Sequence, residues 1–115
     1  SQYLAVMFEE NQDVFLWDLP SKEKIQSWNT FGGNVTCLAF DADNQTLAVG
    51  ADEDLIKFYQ IRTGEEQRII SRQIPGVVEM EFAPDDILFA VRNEREIQIW
   101  HLLTDTLVAT FRVVD

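Results

Sequence analysis

Three six-residue stretches superimpose without a gap: VFLWDL (Val14–Leu19), IKFYQI (Ile56–Ile61) and IQIWHL (Ile97–Leu102). Trp17, Tyr59 and Trp100 fall in one column, 42 and 41 positions apart. Working outward, a second set lies upstream of each: YLAVM (Tyr3–Met7), TLAVG (Thr46–Gly50) and LFAVR (Leu88–Arg92). An Ala-Val pair recurs in it as Ala5-Val6, Ala48-Val49 and Ala90-Val91. A third set occurs twice, as VTCLAF (Val35–Phe40) and VVEMEF (Val77–Phe82). A period of this length marks a repeat architecture and takes precedence over local propensity.

Each stretch is short and rich in Val, Ile, Leu and aromatic residues. Turn formers bound them: Asp41–Asn44, Arg62–Glu65, Ala83–Asp86 and Leu103–Thr106. This is the pattern of short antiparallel strands joined by tight turns. A fourth strand is expected after each aromatic column, at Lys24–Trp28, Glu66–Ser71 and Leu107–Arg112. Four strands in about 40–45 residues make one β-propeller blade. The fold expected is all-β, with about two and three-quarter four-stranded antiparallel blades: a partial blade over residues 1–31, then complete blades over 32–73 and 74–115.

The residues also resemble the WD-repeat family, whose blades read as an inner strand ending in Phe, a Ser-Pro-Asp-Gly turn, Leu-Ala-Ser-Gly, and Ile-Arg-Leu-Trp-Asp. Phe82–Asp86 follows the turn, Leu47–Gly50 the second strand, and Val14–Leu19, with Trp17-Asp18, the third. The resemblance covers nearly the whole chain and implies a propeller; it implies no single partner, because one fold hosts many functions. There are departures. No histidine stands near Val35 or Val77, Val49 and Val91 replace the family's Ser or Thr, and only the first blade keeps Trp-Asp. The buried polar set of the family is therefore missing, and the blades are expected to lean on apolar packing.

In phase, the sequence begins at a second strand and ends just after a fourth. The expectation is that these residues form part of a larger propeller, the remaining blades lying in the same chain or in other copies, since blades with bare faces are poorly stable alone.

Composition narrows the function. A 46% hydrophobic content with 25% charged residues excludes a disordered chain. The N-terminal Ser1–Asn11 carries no basic segment followed by an apolar one, and no apolar run approaches the ~20 residues of a membrane span. With one cysteine, Cys37, no internal disulfide forms, which favours an intracellular address, nuclear or cytoplasmic. Nine basic and twenty acidic residues give a net charge of −11, which repels nucleic-acid phosphates and anionic membranes and favours a basic protein partner.

The acids concentrate in the loops between second and third strands. Glu9, Glu10, Asp13, Asp52, Glu53, Asp54, Glu94 and Glu96 stand there against a single base, Arg95. This acidic rim is a candidate seat for a Lys- or Arg-rich peptide; the competing explanation is that Asp and Glu suit exposed turns. Trp28 and Phe31, flanking Gly32-Gly33, are candidate contact aromatics if exposed, or packing residues between outer strands if not. Glu79 and Glu81 alternate with Val78, Met80 and Phe82, and are expected to line the channel or to stay solvated beside it.

Catalytic chemistry finds no foothold. Asp52–Asp54 alternate in direction on a strand and fall short of a calcium set. His101 and Cys37 do not assemble a zinc site. Gly32–Asn34 precedes a strand rather than a helix and is no phosphate cradle. No nucleophile elbow is present. No cofactor and no metal are expected. The function expected is a non-catalytic scaffold segment in an intracellular multiprotein complex. Two alternatives stand beside it: a reader of basic tails, and a part of a propeller enzyme whose catalytic residues lie elsewhere.

Overall fold

The computed structural model describes residues 2–8, 13–29, 35–51, 56–70 and 77–113. Within them lie eleven strands: β1 (Tyr3–Met7), β2 (Val14–Asp18), β3 (Glu23–Trp28), β4 (Val35–Phe40), β5 (Thr46–Ala51), β6 (Ile56–Gln60), β7 (Glu66–Ile70), β8 (Glu79–Phe82), β9 (Leu88–Arg92), β10 (Glu96–His101) and β11 (Thr106–Arg112). They form three antiparallel meanders in chain order, β1-β2-β3, β4-β5-β6-β7 and β8-β9-β10-β11. The inner strands β4 and β8 of neighbouring sheets pack side by side.

The aromatic column holds in register. Trp17 lies opposite Leu4 and Lys24, Tyr59 opposite Leu47 and Glu66, and Trp100 opposite Phe89 and Leu107. Just before each aromatic the pairing with the outer strand slips, leaving Ile25, Gln67 and Val108 as the extra residues of three equivalent β-bulges. An extra residue bends the strand and raises its twist, so all three outer strands are turned in the same way. Left-handed backbone conformation repeats too. Lys22, Gly64 and Asp105 have φ of 62°, 77° and 57° in the turn before the outer strand, and Asn44 and Asp86 have φ of 56° and 58° in the turn after the inner one.

The core divides into two slabs, one at each sheet-to-sheet seam. Val14, Leu16 and Trp28 of the first sheet meet Leu47, Val49, Tyr59 and Ile61 of the second. On its other face the second sheet sets Cys37, Ala48, Ile56 and Phe58 against Val77, Met80, Phe89, Val91 and Trp100 of the third. Alternation along a strand sends successive side chains to opposite faces, so a sheet with neighbours on both sides must be apolar on both. The second sheet is so in its middle strands: all of Leu47–Ala51 is buried.

The apolar packing expected in place of the family's polar set is what these seams contain. A short polar link accompanies Trp100. Gln98, two residues before Trp100 and on its face, accepts the indole N–H at 3.0 Å. Among the inner strands, β8 is shorter than the expected Val77–Phe82. Val78 still donates its N–H to Arg92 O, Asn93 donates to Glu96 O, and the described strand begins at Glu79.

Candidate interaction surfaces

The residue after each aromatic has a local task. Asp18 Oδ2 accepts from Ser21 N at 3.2 Å, Gln60 Oε1 from Thr63 Oγ1 at 2.8 Å, and His101 Nδ1 sits 3.1 Å from Thr104 Oγ1. Asp, Gln and His are interchangeable here because each offers an acceptor to a hydroxyl-bearing turn three residues on. His101 is thereby a turn residue at a blade edge.

Between the first and second sheets the outer seam is closed by side chains. Gln26 Nε2 donates to the carbonyls of Ile61 and Arg62 at 3.0 and 3.3 Å, and Trp28 Nε1 donates to Gly64 O at 3.0 Å. The Trp28 ring lies 4.9 Å from that of Tyr59, and Trp28 is 7% exposed. Trp28 is therefore corrected from a contact aromatic to a packing residue: its ring fills the seam and its N–H is used by the next sheet's turn. Between the second and third sheets, Asp86 Oδ1 accepts from Ala42 N at 2.8 Å, tying two turns together.

The acidic rim is described in part. Glu9, Glu10, Asp52, Glu53, Asp54 and Phe31 lie outside the described residues. Asp13 and Glu96 hold equivalent places at the entry to β2 and β10 and are half-buried; Glu94 is exposed in the turn before β10. Asn93 organises that turn, its Oδ1 accepting from Arg95 N and Glu96 N at 2.8 and 2.9 Å. Among the described residues Asn93 and Gln98 are the polar ones found buried, and neither was singled out from the sequence. The signal for Gln98 was available, since a residue two before a buried Trp on a strand must share its face.

Of the two places expected for Glu79 and Glu81, both side chains take the solvated one. Met80 and Phe82 point at the second sheet, so alternation sends the two carboxylates to the opposite, outward face of the third sheet. They lie there beside Arg92 and Ala90, their register partners. Glu79 Oε1 is 2.6 Å from Arg92 Nε. Cys37, in the corresponding column of the second sheet, is buried, and burial, with the Glu79 carboxylate nearby, raises its thiol above the ordinary value of 9.0. Among the described residues no group of three or more His, Cys, Asp or Glu side chains is arranged to hold a metal, and no helix is long and apolar enough to cross a membrane.

No family model matches the chain. A WD repeat-containing protein of Synechocystis, sll1491, is 31% identical over 111 residues, which is 95% of this chain and 31% of that protein. The fold is similar to the crystal structure of the RRP9 WD40 repeats, with a TM-score of 0.80 at 17% identity, over 89% of this chain and 33% of that one. The chain belongs to the WD-repeat β-propeller family. The chain is also similar to the guanine nucleotide-binding protein subunit beta of rice, 25% identical over 105 residues and matched over 27% of its length. The chain thus spans less than a third of the length of the curated relatives it matches, 31% of the first and 8% of another.

Proposed function

We propose that the chain is a non-catalytic segment of a WD-repeat propeller that holds partners together in an intracellular multiprotein complex. The observation that supports it most is the pair of continuous apolar seams. They fix three sheets relative to one another, so loops carried on them lose little freedom when a partner binds. Rigid strands joined by short exchangeable turns suit recognition by loops. The test is gentle isolation of the protein from its cell, followed by the mass of the particle and the identity of co-purifying chains. A particle containing other proteins in fixed ratio is expected; a particle of this polypeptide alone overturns the reading.

A second reading is favoured by the charge distribution. The rim bearing Asp13, Glu94 and Glu96, together with Glu9, Glu10, Asp52, Glu53 and Asp54, receives a Lys- or Arg-rich segment of a partner. Binding of such a peptide is expected at low salt and is expected to weaken as ionic strength rises, because exposed charges are screened beyond a Debye length of about 8–10 Å. Absence of binding at low salt, or affinity indifferent to salt, removes this reading.

A further inference from the structure

The two faces that end the stack are not alike. Where the second sheet meets the third, its inner strand offers Cys37 and Ala39, small and apolar, to Val77, Met80 and Phe82. On the outward face of the third sheet the same two columns carry Glu79 and Glu81. Beside them on that face Ala90 lies between Glu81 and Ile99, and Arg92 between Glu79 and Ile97, so apolar side chains surround one paired and one unpaired carboxylate. A shallow groove of about 490 Å³ runs along it past Glu81, Pro84, Leu88, Ala90 and Ile99. Arg92 is engaged by Glu79, and among the described residues no cation pairs with Glu81.

An uncharged sheet laid on this face in the manner of the third on the second would strip water from Glu81 and return nothing for it, which is strongly unfavourable. A second copy of the chain is a poor occupant. Its first sheet has no described strand inside β1 to meet β8, and each copy carries a net charge of −11. The complement is a strand that presents a cation between two carboxylates and apolar groups to Ala90, Ile97 and Ile99.

We propose that the outward face of the third sheet is the seat of a β-strand bearing Lys or Arg. This strand lies against β8 as β8 lies against β4, with its cation shared by Glu81 and Glu79. In a longer propeller it is the inner strand of the following blade. The proposal rests on the third sheet's outward face being covered, and is independent of the acidic rim.

The probe is a synthetic strand peptide of alternating Lys and Val, titrated into the chain carrying labelled Ala and Ile methyl groups. A Ser-Val peptide of equal length is the control. The Lys-Val peptide is expected to shift the methyl signals of Ala90, Ile97 and Ile99. Glu81→Gln, isosteric and exposed, is expected to keep the methyl spectrum of the free chain and to weaken this binding about fivefold, the scale of one solvent-accessible ion pair. Three results overturn the proposal: no shift at those methyls, equal binding of the Ser-Val peptide, or equal binding by Glu81→Gln. Sedimentation of the chain alone at the mass of two copies, with the same three methyls perturbed, overturns it in favour of self-association. Rim variants such as Glu94→Gln leave the three methyl shifts unchanged, which separates failure here from failure of the rim reading.

Discussion

The aromatic column shows how one residue type acquires different weight from its surroundings. Trp100 is 4% exposed and Tyr59 3%, each pressed against the preceding sheet, whereas Trp17 is half-exposed because the first sheet has no described neighbour on that side. Leu4, opposite Trp17, is 48% exposed, while its counterparts Leu47 and Phe89 are buried. Trp100→Ala is therefore expected to cost about 3–5 kcal/mol in urea unfolding, and Trp17→Ala only about 1–2 kcal/mol, since less contact is lost. Equal costs would contradict the placement of the column. Gly50 makes a second residue-scale case. A Cβ there would stand 2.8 Å from Cys37 Sγ and 3.3 Å from Val77 Cγ1, so Gly50→Ala is expected to destabilise by ~1–3 kcal/mol through overpacking. Cys37 itself adds a pH dependence. Its thiol value is raised on folding, so the folded protein keeps a proton that the unfolded chain releases. That stability is complete below the unfolded thiol value and is lost as pH rises through the folded one. Urea midpoints measured from pH 7 to 10 should fall more steeply for the wild type than for Cys37→Ala.

At the scale of strands and turns, the repeat is a repeat of backbone as much as of side chains. The turn before each outer strand needs one residue in the left-handed region, filled by Lys22, Gly64 and Asp105. Only Gly takes that conformation without a Cβ penalty. Lys22→Gly is expected to raise stability by up to ~1 kcal/mol, seen as a higher urea midpoint at unchanged slope. Asp86→Gly relieves the same strain but loses the bond to Ala42 N, so its gain is expected to be smaller or reversed. A larger gain for Asp86→Gly than for Lys22→Gly would contradict the role given to that bond. The strands themselves were legible in the sequence because like side chains recur in columns, as in Tyr3–Met7, Thr46–Gly50 and Leu88–Arg92. The bulges at Ile25, Gln67 and Val108 were not. The outer strands share little side-chain type, and a bulge is a property of hydrogen-bond register. The burial of Trp28 was one of two readings the sequence left open; its partners, Tyr59 and Gly64 in the next sheet, decide between them. Glu79 and Glu81 were visible as acids; their direction became clear only once Met80 and Phe82 were seated on the second sheet.

For the whole molecule, the two seams carry the account. Each sheet is stabilised by the sheet beside it, and the loops ride on a stack whose order follows the chain. The acidic rim and the carboxylates on the outward face are the two places proposed for a partner. Both depend on the stack existing in solution as described. The most direct test is a set of aromatic nuclear Overhauser effects. The rings of Trp28 and Tyr59 lie 4.9 Å apart across the first seam, and those of Phe58 and Phe89 lie 5.1 Å apart across the second. Cross-peaks for both pairs are predicted. A folded chain with strand-like dispersion in which either pair is silent would contradict the stacking of successive sheets on which every other statement depends.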